Sequence, residues 1–555
     1  MKPIGNIYAI AAVAIVGGGL FGFDISSMSA IISTQQFLCY FNQYPETYDP
    51  TKDVQQCAGP RPDVQGGIVA SMAGGSFLGA VISGSLSDIF GRKTSIQVGS
   101  VIWCVGSVLV CAAQNIPMLI VGRIINGISV GICSAQVPVY ITEIAPPTKR
   151  GRLVGAQQWA ITWGILIMYY ISYGCSFIGT HEHPPSPTAF RIPWGLQMIP
   201  AIFLFFAMFL LPESPRWLAK KDRWEEAEDV IALVHAKGDK THAFVVSEMQ
   251  EIKDFCQFER ENADVTWLEL VKPNMIWRTH IAIFTQFWSQ LTGMNVIMYY
   301  VTYVFAMAGL SGNAGLIASS INYVINVCMT IPALLFIDRI GRRPALVGGA
   351  ISLSIWWYAT AGILATYGHA APPGGLHHVS AESWVISGHA SKAVIAASYL
   401  IVASFAPTWG PVSWTYPPEL FPLRLRAKGV SISTAACWAM NFALGYFTPP
   451  AFVNIAWKTY LGQCISNDIA PTCSRVGTLP NIVLVFGVFC TVMAIHSFLC
   501  FPETAGKPLE EVEEIFALNT PAWKTKGGFA QGREMEKGER ATEKQLQFAM
   551  HKEDA

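Results

Sequence analysis

Charge is scarce in this sequence. Lysine and arginine total 37 and aspartate and glutamate total 37 in 555 residues, leaving a formal net charge of zero. With only 13% charged and 52% apolar residues and a mean hydropathy of +0.37, a chain of this length cannot cover a soluble surface. It reads as an all-α, multi-span membrane protein. The lack of a positive excess removes bulk attraction to nucleic acid, so none is expected as a partner. Catalytic constellations are missing too: there is no nucleophile with its base, no zinc spacing and no phosphate-cradling loop, so neither an enzyme nor a metal or other cofactor is expected. Most of the thirteen cysteines, among them Cys104, Cys111, Cys133, Cys328, Cys437, Cys490 and Cys500, lie in apolar segments without metal-ligand spacing and read as small buried hydrophobes. No small-residue cleavage site closes the first apolar run, so that run is expected to stay and to span.

What is present is a series of apolar runs of about 20 residues, the length a helix needs to cross hydrocarbon. They fall near 7–33, 65–86, 95–113, 117–138, 153–175 and 193–211, then 277–308, 315–337, 345–367, 393–416, 428–452 and 480–501. The expected organisation is twelve transmembrane helices in two six-helix halves, 1–211 and 277–504, joined by a linker with short helices at 212–276 and followed by a polar tail at 505–555. Basic residues cluster in alternate connectors: Arg92 and Lys93, then Lys149, Arg150 and Arg152, then Arg339, Arg342 and Arg343, then Arg424, Arg426 and Lys428. By the positive-inside rule both termini, the linker and the tail are cytoplasmic. The tail after Phe516 is mixed in sign and is expected to be disordered.

The halves repeat each other. Asp88-Ile89-Phe90-Gly91-Arg92-Lys93 is echoed by Asp338-Arg339-Ile340-Gly341-Arg342-Arg343, Glu143 precedes Arg150 as Glu419 precedes Arg426, and Pro212-Glu213-Ser214 closes the first half as Pro502-Glu503-Thr504 closes the second. Such repeats put a substrate site at their interface near the bilayer midplane. Within the first run sits one acid, Asp24. An ionised carboxylate at the bilayer centre costs roughly 2.5–3.5 kcal/mol even on lenient scales, so it marks either a functional site or an ion pair that ties two helices. Arg123, too deep in the fourth run to be a loop charge, is its natural partner. Amides suit an uncharged polar ligand because each offers donors and acceptors without a charge to desolvate. The spans carry Gln158, Gln290, Asn295, Asn326 and Asn441, with Trp414 and Trp438 as aromatic walls.

The ordered set Gly122-Arg123, Val139-Tyr140-Ile141-Thr142-Glu143, Pro212-Glu213-Ser214-Pro215-Arg216-Trp217, Gln290-Leu291-Thr292-Gly293-Met294-Asn295 and Pro418-Glu419-Leu420-Phe421-Pro422, with the paired Asp-x-x-Gly-Arg loops, resembles the sugar porter family of the major facilitator superfamily over residues 8–516. It is most similar to fungal high-affinity hexose transporters. The resemblance implies a plasma-membrane carrier of a monosaccharide, glucose or a relative such as xylose, working by alternating access with a proton as co-substrate. It assigns Asp24 and Arg123 to proton coupling. Gln158, Gln290, Asn295, Asn326, Trp414, Trp438 and Asn441 become sugar contacts. Asp88, Arg92, Glu143, Arg150, Glu213, Asp338, Arg342, Glu419, Arg426 and Glu503 become a gating ion-pair network. Two positions depart from the pattern: Ser289 and Cys437 stand where many relatives carry amides. A facilitative uniporter of the same fold and a non-transporting glucose sensor are the alternative expectations, the short tail counting against the sensor.

Cys39 and Cys57 follow the first span, and Cys464 and Cys473 precede the last. On an oxidising side these four allow three pairings, and in plant relatives a disulfide staples the two halves. The segment 461–484 is longer and more polar than the family pattern, as either a genuine insertion or translated intron sequence.

Overall fold

The computed structural model describes residues 3–43, 47–49, 54–57, 59–179, 186–261, 266–310, 313–370, 384–454, 478–507, 512, 515–518 and 520–525. The first half comprises α1 (Ile7–Ile31), the short α2 (Gln35–Tyr40), α3 (Pro62–Phe90), α4 (Arg92–Cys111), α5 (Ile116–Ile144), α6 (Pro147–Cys175), and a sixth span broken into α7 (Thr188–Leu196) and α8 (Met198–Ala207). Three short helices follow: α9 (Pro215–Lys220), α10 (Trp224–His235) and α11 (Ala243–Glu261). The second half comprises α12 (Ile276–Leu291) with α13 (Met294–Met307), α14 (Asn313–Ile340), α15 (Arg342–Tyr367), α16 (Gly388–Phe405) with α17 (Trp409–Leu420), α18 (Leu423–Asn454) and α19 (Thr478–Cys500). Eight of these helical units are long and apolar enough to cross a membrane by length and composition. With α6, the α12–α13 pair, α18 and α19, they make the twelve helical units that the apolar runs predict.

Helices are the solution because a backbone in hydrocarbon must satisfy its own hydrogen bonds. Their ends follow local chemistry: Asn6 accepts from the Tyr8 and Ala9 amides at the start of α1, Asn115 accepts from Met118 at the start of α5, and proline sits at the first positions of α3, α5 and α6. Between α1 and α3 the chain also forms a small antiparallel hairpin, β1 (Thr47–Asp49) and β2 (Val54–Gln56). A disulfide joins Cys39 to Cys57 around it. This is one of the three pairings the sequence allows, and it lies within one half. Cys464 and Cys473 lie outside the described residues, as does most of 461–484.

One of the close helix crossings is built from small residues. Gly75 and Gly79 of α3 face the Ile124 and Ile128 carbonyls of α5, while Gly127 and Gly131 of α5 face the Met72 and Ser76 carbonyls of α3. Two Gly-x-x-x-Gly faces thus let the backbones touch, since lipid gives no hydrophobic force to hold helices together and close packing must supply it. The tail departs from expectation at its start: Thr525 accepts from the Glu503 amide at 2.8 Å, so residues 520–525 pack back on the second half.

Gly127→Leu is expected to force α3 and α5 apart. Overpacking costs roughly 1–3 kcal/mol, read as a lower unfolding temperature of the detergent-purified protein; an unchanged transition would contradict the crossing.

Candidate functional site

Among the described residues, the sequence-predicted polar groups form three systems inside this apolar bundle: a buried ion pair, an amide cluster between the halves, and a duplicated charge cluster at the end where Ile4 and Thr525 lie.

In the first system, Asp24 of α1 and Arg123 of α5 are each 1% exposed. The guanidinium donates to both carboxylate oxygens, at 3.3 Å and 2.9 Å. It also donates to the Ile68 carbonyl at 2.8 Å and the Val69 carbonyl at 3.4 Å, which tethers it to α3. Burial favours the neutral form of a carboxyl group and an adjacent guanidinium favours the charged one. A pair of this kind therefore responds to small changes in separation.

The amide cluster has Gln290 at its centre, the last polar residue of α12. Gly293 adopts φ +77 there, a conformation a side chain would strain, and α13 restarts at once. The Gln290 carbonyl oxygen accepts from Asn295 of α13 and from Asn441 of α18, the latter at 3.1 Å. Its nitrogen donates to the Cys437 sulfur at 3.0 Å. Opposite, Gln158 of α6 accepts from the Trp414 indole at 3.0 Å. Gln158, Gln290, Asn295, Asn326 and Trp414 line one cavity with Phe21 and Ile25 of α1. It holds about 440 Å³ of empty space, open solvent included. Trp438 and Asn441 stand behind that wall. Trp438 donates to Ser134 of α5 at 3.1 Å and meets the Phe21 ring edge-on at 4.7 Å. The carbonyl of Asn326 is buried without a partner, which leaves it available to a ligand. Phe21 and Ile25 had a signal in the sequence, since they flank Asp24 on the same helix; Ser413 and Met298, also in the lining, had none.

The two halves touch each other on both sides of the cavity. On the side of the Cys39–Cys57 loop, Gln65 donates to the Tyr303 hydroxyl at 2.6 Å, Tyr303 to the Ile32 carbonyl at 3.4 Å, and Tyr169 to the Leu316 carbonyl at 2.9 Å. Towards the basic end, Ser431 of α18 donates to the Ala80 carbonyl of α3, and Gly151 abuts Asp338 and Arg342.

The charge cluster appears twice. Arg92 binds Glu143 through two nitrogens, both at 3.0 Å, and Asp88 at 3.6 Å. Arg342 binds Glu419 at 2.7 Å and 3.1 Å and Asp338 at 3.1 Å. Glu213 then accepts from the backbone amides of Arg92 and Lys93, as Glu503 does from those of Arg342 and Arg343. Each carboxylate therefore sits on the N-terminus of a membrane helix, where free amides and the helix dipole attract an anion. Burial raises the Glu213 carboxyl above its ordinary value despite these amides. Glu143 is gripped by Arg92 and Glu419 by Arg342, each from another helix of the same half. Arg426 is fully buried and faces Glu143 of the other half, together with Arg150, Arg216 and Arg92. Sequence spacing pairs residues along one connector, whereas packing pairs them across helices.

The family model described as "Sugar (and other) transporter" matches residues 10–516. A glucose transporter of the major facilitator superfamily from Aspergillus flavus is 43% identical over 94% of this chain and 92% of its own length. A high-affinity glucose transporter from Kluyveromyces lactis is 44% identical over 94% of this chain and 87% of its own length. Among solved structures, the proton:xylose symporter XylE bound to 6-bromo-6-deoxy-D-glucose superposes with a TM-score of 0.73 at 25% identity, covering 92% of this chain and 99% of that one.

Removing one partner of the buried pair leaves the other charge stranded. Arg123→Leu alone is expected to cost roughly 3–5 kcal/mol, and adding Asp24→Asn should restore most of the loss in thermal unfolding. No recovery in the double variant would show that Arg123 matters chiefly through Ile68 and Val69.

Proposed function

The chain belongs to the sugar transporter family, and from that premise we propose that it carries glucose or a closely related hexose across the plasma membrane together with a proton, by alternating access. The observation that carries the proposal is an amide-lined cavity between two halves in contact at both ends, with a carboxylate–guanidinium pair buried on a helix that also lines the cavity. An uncharged polyol needs many fixed donors and acceptors plus apolar faces for its C–H surface. Gln158, Gln290, Asn295 and Asn326 offer the first, and Trp414 and Phe21 the second. Asn441 and Trp438 hold that wall from behind.

In this reading the basic end is cytoplasmic, residues 212–276 link the halves and 505–555 form a cytoplasmic tail. The charge clusters of Arg92, Glu143, Arg150 and Glu213, and of Arg342, Glu419, Arg426 and Glu503, act as the inner gate. Asp88 and Asp338 complete each cluster. The Arg92–Glu143 and Arg342–Glu419 pairs are buried within their own halves, so in this reading the gate opens where the clusters meet, at Arg426 against Glu143 and at Gly151 against Asp338 and Arg342. Asp24 takes up a proton when the cavity opens outward and Arg123 promotes its release when the helices shift. Glucose relatives at 43–44% identity support the substrate class, and Asp24–Arg123 supports the proton.

The test is radiolabelled glucose uptake by purified protein in sealed liposomes. An inward proton gradient should drive accumulation above equilibrium; if it does not, the carrier is a uniporter. Asp24→Asn should lose uphill accumulation while sugar exchange between the two sides persists. Gln290→Ala, which removes the centre of the amide cluster, should weaken sugar binding by roughly 1–3 kcal/mol, visible as a raised KM.

A further inference from the structure

One group of titratable side chains takes no part in the ion pair, the amide cluster or the charge clusters. His280, one turn into α12, and His496, one turn before the end of α19, meet with their Nε2 atoms 3.1 Å apart. Trp288, further along α12, donates its indole N–H to Nδ1 of the same His496 at 2.7 Å. One imidazole of α19 thus ties two points of α12, the second of them two residues before Gln290.

The bonding chemistry fixes where the protons lie. An indole can only donate, so Nδ1 of His496 presents a lone pair and that ring carries its proton on Nε2. This proton points at His280, whose Nε2 must accept, which leaves the proton of His280 on Nδ1. The arrangement needs both rings neutral. A proton added to Nε2 of His280 would face the N–H of His496, and one added to Nδ1 of His496 would face the indole N–H. Nor can the rings share an added proton, because His496 could free its Nε2 only by moving its own hydrogen to Nδ1, where Trp288 stands. The gap holds a single lone pair, which suits a hydrogen bond and not a bridging metal ion.

Both rings are half-buried, and their surroundings are aromatic. Trp277 lies parallel to the His280 ring with centroids 5.2 Å apart, Phe284 packs on both rings, and Phe501 meets His496 edge-on at 5.3 Å. The charged groups on the packed elements are engaged elsewhere. Arg278 of α12 donates to the Leu420 carbonyl, Arg342 of α15 binds Glu419 of α17, and Arg343 donates to the Phe498 carbonyl. On α18, Arg426 donates to the Phe421 carbonyl and Lys428 lies over the Trp267 ring.

We propose that His280, His496 and Trp288 form a proton-operated latch that holds α12 against α19 and sets the sugar affinity of the cavity from the basic end of the bundle. Above the ordinary histidine range, roughly pH 6.5, both rings are neutral and the latch is closed. As the pH falls through that range a proton enters one ring, one of the two bonds is lost, and α12 is released from α19. Gln290 lies near the end of α12 and must hold its place to receive Asn295 and Asn441, so release lowers the affinity for sugar. In the reading given above the basic end is cytoplasmic, and the latch then slows a carrier that acidifies the side it delivers to.

The effect on affinity rests on the sugar-carrier reading and not on proton coupling, so the test is glucose counterflow in liposomes, which needs no proton gradient. The pH is kept equal on both sides and lowered from about 7.5 to about 5.5, across the ordinary histidine range. His280→Gln/His496→Gln is the comparison, because non-titrating amides can still accept from the indole and donate across the gap. The ratio of KM at the low pH to KM at the high pH should be roughly 3- to 10-fold larger in the wild type than in the double variant, the equivalent of one net hydrogen bond. Trp288→Phe, which lets the rings share an added proton, should shrink the ratio as well. Equal ratios in wild type and variants overturn the latch, and so does a double variant with a raised KM at both pH values and the wild-type ratio, which would assign the pair to packing. Thermal unfolding supplies a readout free of sugar: acidification should lower the midpoint more in the wild type than in the double variant. If the wild type shows no glucose counterflow, the sugar-carrier reading fails, and the unfolding comparison still decides the latch, equal falls overturning it.

Discussion

Each half of this protein hangs on one guanidinium. Arg92 ties α3, α5 and the turn after α8 through Asp88, Glu143 and the neighbouring Glu213, and Arg342 does the same with Asp338, Glu419 and Glu503. In a bundle held otherwise by weak lipid-phase packing, such a multiply bonded node keeps several helices in fixed relation. Two copies of the node make two stiff bodies. Stiff bodies confine the flexible geometry to the seam between them, and the amide cluster lies in that seam.

Elements that depart from regular helix gather at the seam. Gly293 breaks the α12–α13 span beside Gln290 and Asn295, and Tyr300 interrupts the helical geometry within α13. Asp24 sits in α1 between Phe21 and Ile25, so the helix that carries the buried charge also forms a wall of the cavity. Charge, cavity and closing helix share elements, which is the physical basis for linking one ligand to the other.

Much of this was legible in the chain. Apolar runs of span length, their duplication, and an acid and an arginine each isolated in hydrocarbon are local patterns whose cost in lipid leaves few meanings. The amides at Gln158, Gln290, Asn295 and Asn326 were legible as a polar set inside apolar helices, and the structure gathers them around one cavity. Other features were not legible. The grip of Arg92 on Glu143, or of Glu503 on the start of α15, joins residues far apart in sequence. The role of Gly75, Gly79, Gly127 and Gly131 depends on which helices cross, although their four-residue spacing was visible.

The sequence by itself determined the class of the protein, its family, its twelve spans and the chemistry available to its site. Hydrophobic length, charge scarcity and ordered motifs are properties of the chain read locally. Only the tertiary structure decided which arginine neutralises which acid, that Cys39 pairs with Cys57, and that Trp438 and Asn441 stand behind the cavity wall. Those outcomes depend on distances across helices, and neighbours along the chain carry no record of them.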